Sequence, residues 1–178
     1  MRKSMVTVVF TLALAGTAAA PATGAVAPDP PNVPAKLVSV NSAKCADVEG
    51  WSKDNGAAVH QWSCRFDNDA NQRWTFQRSP FAGYWKLINY NSKKCLDVEG
   101  PSYADGAKIH QWDCYNGPSQ DWRIVGVGDG STFKLVNRNS NKCMDVEGWS
   151  KDDGAKIHQW TCRDVNDANQ QWRFSTAG

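Results

Sequence analysis

Between residues 36 and 178, short runs of alternating apolar and polar positions recur at a regular period. They read Lys36-Leu-Val-Ser-Val, Trp85-Lys-Leu-Ile-Asn and Phe133-Lys-Leu-Val-Asn. Alternation with period two predicts half-buried strands. Each run is followed by an Asn-Ser-x-Lys turn and then Cys-x-Asp-Val, a combination that reads as a hairpin. A glycine-rich loop leads to a third run, Ala-x-Val/Ile-His-Gln-Trp. A polar loop then leads to a fourth, marked by Gln72-Arg-Trp74, Gln120-Asp-Trp122 and Gln170-Gln-Trp172. Helical periodicity over the roughly 11 residues a helix requires is found nowhere. The pattern predicts three units, about 36–80, 84–130 and 132–178, each of four short strands, and so one all-β domain.

One unit of this size cannot bury its apolar face alone. Three can share a core and close a barrel, which removes most exposed sheet edges. Trp74, Trp122 and Trp172 are then expected in the core near a threefold axis, with the glutamine two residues before each satisfying backbone groups.

The region before residue 36 has a different character. Arg2 and Lys3 precede an apolar run from Met5 to Gly16, and residues 17–27 are rich in small side chains. This reads as a secretory leader over residues 1–27, cut somewhere in 19–27. Its apolar run is shorter than the roughly 20 residues that span a bilayer. Residues 28–35 are proline-rich and are expected to form an extended linker with nothing to bury. The protein is therefore expected to be secreted and extracellular, without a membrane span.

Export changes the reading of the six cysteines, which occur two per unit and 19 positions apart. An even count at regular spacing in an exported chain reads as disulfides. Fifteen pairings are open in principle; the repeat favours Cys45–Cys64, Cys95–Cys114 and Cys143–Cys162. A metal site built on His60-Gln-Trp-Ser-Cys64 and its copies is the competing reading. The closely paired ligands usual for zinc are not present, so no metal or other cofactor is expected. The net charge is only +2, and setting aside Arg2, Lys3 and Asp29 brings it nearer zero. That offers no electrostatic footprint for nucleic acid or an anionic membrane.

The three copies of Cys-x-Asp-Val followed by Gln-x-Trp resemble the ricin B-type lectins, over essentially all of residues 36–178. The resemblance implies a β-trefoil: three repeats of four short strands with pseudo-threefold symmetry. It also implies up to one shallow sugar pocket per unit. In the first unit the family's pocket positions fall on Asp47, His60, Trp62 and Asn71, with Gln72 alongside. In the third they fall on Asp145, His158, Trp160, Asn169 and Gln170. The second unit has Asp97, His110 and Trp112 but departs from the pattern, with Ser119 in place of the asparagine and a shorter final loop.

These residue types suit a sugar on physical grounds as well. A tryptophan offers a flat, rigid face to the C–H side of a pyranose. An ionised aspartate can accept two hydroxyl protons at once, and asparagine can donate or accept. Structural roles compete with each assignment. The aspartates could hold loop amides, the tryptophans could be buried beside the disulfides, and the histidines could simply brace the aspartates. Trp51 and Trp149, in Gly-Trp-Ser loops, either extend the sugar surface or shield the hairpin.

Each unit also carries Asp-Val-Glu, pairing Asp47 with Glu49, Asp97 with Glu99 and Asp145 with Glu147. On a strand the two carboxylates would share a face. Glycoside hydrolysis, however, needs two carboxyl groups in different environments, which triplication does not supply, and no catalytic motif occurs. The sequence thus predicts a non-catalytic lectin recognising galactose-type or xylan/arabinan-type glycans, as oligo- or polysaccharides or on cell-surface glycoconjugates. The alternatives are a targeting module acting with a separate glycosidase, or a protein-binding trefoil such as a protease inhibitor.

Overall fold

The computed structural model describes residues 26–128, 130–164 and 167–176. The expected leader lies outside them up to residue 25. Six strands form a closed barrel: β1 (Ala35–Ser39), β4 (Arg73–Arg78), β5 (Trp85–Asn89), β8 (Trp122–Val127), β9 (Thr132–Asn137) and β12 (Trp172–Ser175). They pair antiparallel in that order, and β12 returns to β1. Closure leaves the barrel no free edge. Three hairpins cap one end: β2 (Cys45–Val48) with β3 (Val59–Trp62), β6 (Cys95–Val98) with β7 (Ile109–Trp112), and β10 (Cys143–Val146) with β11 (Ile157–Trp160). This is the β-trefoil that the repeat implies.

Trp74, Trp122 and Trp172 are fully buried, as their position in the repeat predicts. Each indole donates its N–H to a carbonyl on its own unit's hairpin: Ala46 at 3.2 Å, Leu96 at 3.0 Å and Met144 at 3.2 Å. A large apolar ring is thereby buried with its one polar group satisfied. Leu37, Leu87 and Leu135 fill equivalent places in the same core. The glutamines two residues earlier lie in short 3₁₀ turns rather than in the fourth strands. All six cysteines pair within their own units, Cys45–Cys64, Cys95–Cys114 and Cys143–Cys162.

Two expectations change. The proline-rich stretch does bury surface, with Pro30 buried, and Ala27 just before it, within the range read as leader, packs on the core. The carbonyl of Val26 lies against Gly126 of β8, where an added Cβ would stand only 2.5 Å from it. A glycine in β8 thus makes room for the incoming segment. The Asp-Val-Glu carboxylates also differ in burial, although in the second and third units both still line one cavity. The strands end at Val48 and Val146; Glu49 and Glu147 begin 3₁₀ turns and are exposed, whereas Asp47 and Asp145 are buried.

The three hairpins lock to one another in a cycle through the middle residue of His-Gln-Trp. Gln61 donates to the carbonyls of Ser150 and Asp152 in the third unit, both at 2.9 Å. Gln111 reaches Ser52 and Asp54 in the first unit, and Gln159 reaches Ser102 and Ala104 in the second. Each amide oxygen accepts from the turn serine of its own unit, Ser42, Ser92 or Ser140. The glutamines are fully buried, so each joins two units through a polar group that has found its partners.

Candidate functional site

Hairpin register sets the first pair of site residues. Asp47 lies directly opposite His60 across β2 and β3, as do Asp97 and His110, and Asp145 and His158. In the first unit His60 Nε2 lies 3.2 Å from Asp47 Oδ1. The 3₁₀ turn Ala70–Gln72 then folds over the hairpin. Asn71 donates to the same oxygen at 2.9 Å and Gln72 to Oδ2 at 2.8 Å. Gln72 also donates to the Ser63 carbonyl and accepts from the Arg65 amide. The third unit repeats this, with His158, Asn169 and Gln170 at 3.1, 2.9 and 2.8 Å from the Asp145 carboxylate.

A fourth neighbour was not anticipated from the sequence. Arg65 Nη1 lies 3.2 Å from Asp47 Oδ2 and 3.2 Å from Asn71 Oδ1. Arg163 bonds Asn169 Oδ1 at 3.0 Å and lies 3.5 Å from Asp145 Oδ2. Each carboxylate is thus the hub of a buried cluster instead of a free acceptor for two hydroxyls. The available signal was the residue after the second cysteine, which is arginine in the first and third units and Tyr115 in the second.

The tryptophans before the second cysteines stand outside this hub. Trp62, Trp112 and Trp160 are 36–42% exposed, so they are not buried beside the disulfides. Each indole stacks on its unit's histidine, with centroids 5.4–5.5 Å apart and interplanar angles of 25–26°. The histidine therefore both contacts the carboxylate and backs the aromatic face. Trp51 and Trp149 form a second aromatic wall, exposed by 38% and 39%, with the guanidiniums of Arg65 and Arg163 5.8 and 5.9 Å from their rings. In the third unit these groups enclose a cavity of about 310 Å³ between Trp149 and Trp160, with Asp145, His158, Arg163 and Glu147 in its lining.

A neighbouring unit holds each platform in place. Asp153 of the third unit accepts from the Ser63 amide at 2.7 Å and pairs with Lys44. Asp105 does the same for Thr161 and Lys142. At the remaining junction the acid has changed sides: Asn55 accepts from the Asp113 amide at 2.9 Å, and Asp113 pairs with Lys94. Burial pushes the Asp105 and Asp153 carboxyls up, but the lysine, hydroxyl and amide contacts outweigh it and hold both below 3.8. Asp113 is lowered mainly by its bonds to Lys94 and Asn55. A carboxylate with a depressed folded-state pKa adds stability above its unfolded value, and that stability is lost as pH falls through the folded value. Thermal stability should therefore be insensitive to these groups from neutral pH down to about 4 and drop below 3.8. A melting series against pH checks this, and Asp105→Asn with Asp153→Asn should flatten the acid limb.

The second unit is built differently. Gln120 still donates to Asp97 Oδ2, at 2.9 Å. Ser119 does not reach the carboxylate and instead bonds the Tyr115 hydroxyl at 2.8 Å. Asp97 Oδ1 and His110 Nδ1 are buried without a hydrogen-bond partner. Pro101 replaces the second tryptophan wall, and the cavity is larger, about 470 Å³.

This architecture can be compared with known proteins. A family model described as ricin-type beta-trefoil lectin domain-like matches residues 30–112, 70–160 and 120–178. The chain belongs to the ricin-type β-trefoil lectin family. Among solved structures, this lectin domain is similar to ThreeFoil, a designed protein with threefold symmetry. The two share 41% identity with a TM-score of 0.74, over 79% of this chain and 96% of that one. It is also similar to part of an exo-beta-1,3-galactanase from Clostridium thermocellum, with 35% identity and a TM-score of 0.73, over 84% of this chain but 31% of that one. A Macrolepiota procera ricin B-like lectin solved in complex with lactose shares the fold at 19% identity and a TM-score of 0.68, over 83% of this chain and 98% of that one. No curated protein matches at comparable significance. Family membership together with lectin and galactanase neighbours supports carbohydrate binding in general. Among the described residues of this lectin domain, no helix is long and apolar enough to cross a membrane.

Proposed function

We propose that the protein is a secreted, non-catalytic lectin that binds glycans through the pockets of its first and third units. The observation carrying this reading is the paired aromatic wall over a polar floor in the third unit, Trp149 and Trp160 above Asp145, His158 and Arg163; the first unit has the same contacts, with Trp62 stacked on His60 and Arg65 beside both Trp51 and Asp47. A pyranose ring lies its C–H face on Trp62 or Trp160. Its hydroxyls meet the exposed edge of the hub, where the arginine is the most accessible member, with about a third of its side chain exposed. A hydroxyl proton reaches the carboxylate by displacing that arginine. Asn71, Gln72, Asn169 and Gln170 hold the carboxylates in place.

Similarity to a segment of an exo-beta-1,3-galactanase supports galactose-type glycans over xylan or arabinan. The same galactanase similarity favours a second reading, a targeting module that works beside a separate glycosidase. The protein-binding trefoil has no comparable support, since the same pocket residues recur in two units.

Shallow pockets bind weakly one at a time. Two of them engaging one polymer gain avidity, commonly 10²–10⁴-fold where the geometry allows. A galactan should therefore bind at least about 100-fold tighter than galactose by calorimetry. Equal affinity for polymer and monosaccharide would overturn the two-site reading.

A further inference from the structure

The three units do not supply the same charge to their pockets. In the first and third, the aspartate is neutralised from within by Arg65 or Arg163. In the second, Tyr115 occupies that position in the chain and directs its hydroxyl to Ser119. Asp97 is only 3% exposed and lines the cavity, yet it retains one donor, Gln120, and its Oδ1 has none. A buried carboxylate oxygen without a partner is costly, and a ligand that donates to it recovers that cost.

Two further acceptors lie in the same lining. Glu99 Oε1 is 3.9 Å from His110 Nδ1, and that nitrogen is itself buried without a partner. Burial lowers the His110 pKa below 6.5 despite the nearby Asp97 and Glu99, so the neutral ring prevails and its Nδ1 can accept when Nε2 carries the proton. Lys108 is the cation near Glu99, 3.9 Å away, but its ammonium donates to the Gly56 carbonyl at 2.9 Å. Trp112 and Tyr115, both 42% exposed, supply aromatic walls. The pocket thus combines two carboxylates, a ring nitrogen that accepts in one tautomer and aromatic surface, and among the described residues no cation is aimed at Asp97. A hydroxyl brings one proton to such a set. A primary ammonium brings three and supplies the missing positive charge.

We infer that the second pocket takes the protonated amine of a deacetylated amino sugar, the ammonium standing in for the arginine of the other two units. This rests on the lectin reading above but assigns the second site a ligand class of its own. The first and third sites then read neutral sugars, and the second reads a charged one.

The test uses full-length mature protein carrying Trp62→Ala and Trp160→Ala, so that the neutral-sugar sites are silenced. Calorimetry compares a fully deacetylated glucosamine tetramer, its N-acetylated counterpart and tetralysine, at a pH where the amines are protonated. The deacetylated tetramer should bind about tenfold more tightly than the acetylated one. Tyr115→Arg, which restores an internal cation, and Glu99→Gln, at an exposed position, should each erase the difference. Equal binding of the two tetramers would overturn the assignment, as would a preference that survives both substitutions. Tetralysine binding as tightly as the sugar amine would overturn the amino-sugar assignment in favour of a general amine site. Galactan binding by the parent protein is measured separately, so failure of the lectin reading and failure of this assignment remain distinguishable.

Discussion

Asp145→Ala is expected to destabilise the protein by about 3 kcal/mol, whereas the equivalent Asp97→Ala should cost clearly less. The Asp145 carboxylate takes hydrogen bonds from His158, Asn169 and Gln170 and lies 3.5 Å from Arg163. Removing it leaves buried donors without acceptors, and those are expensive to strand. Asp97 has Gln120 alone, and one of its oxygens is already unpartnered. Chemical denaturation of the two single variants, with all disulfides intact, reads the difference directly. Equal losses would mean that the hub is not what stabilises the third unit. The contrast also shows that substituting these aspartates is a poor probe of binding, because folding suffers along with the site.

The tryptophan platforms are the cleaner probe, and they carry the largest expected effect on binding. Trp62→Ala combined with Trp160→Ala should weaken binding of a polymeric galactan by at least about 100-fold, the lower end of what two linked sites contribute. Both rings are more than a third exposed, so truncation removes ligand surface while the core tryptophans remain untouched. The melting temperature should change little. Each single variant should retain monosaccharide binding at the other site but lose the polymer advantage. Undiminished polymer affinity in the double variant would place the binding surface elsewhere.

The parts of this structure that repeat were legible in the sequence. Period-two alternation, the cysteine spacing and the Gln-x-Trp phase lead to twelve strands, three disulfides and three core tryptophans. The residues that converge on Asp47 and Asp145 are those to which the family resemblance pointed; hairpin register accounts for the histidine opposite each aspartate. What the sequence could not supply depends on direction and on contacts between units. Arg65 and Arg163 follow the second cysteines in loops, where no periodicity says which way a long side chain turns. The reach of Gln61 to the third unit depends on how the hairpins assemble around the axis. That Glu49 is exposed while Asp47 is buried was not legible either, because it depends on the strand ending one residue before Glu49. The altered chemistry of the second unit was visible as Ser119. Its consequence, a buried carboxylate oxygen without a donor, emerges only once Tyr115 is seen to hold that serine.

The central claim is that these pockets select glycans, and a broad glycan array tests it most directly. The chain from residue 28 onward, with its three disulfides formed, is applied beside the Trp62→Ala/Trp160→Ala variant. Selective retention on a limited group of galactose-containing glycans, lost in the variant, is the predicted result. Absence of selective binding by the correctly disulfide-bonded protein would contradict the claim and leave the pocket residues with a structural role alone.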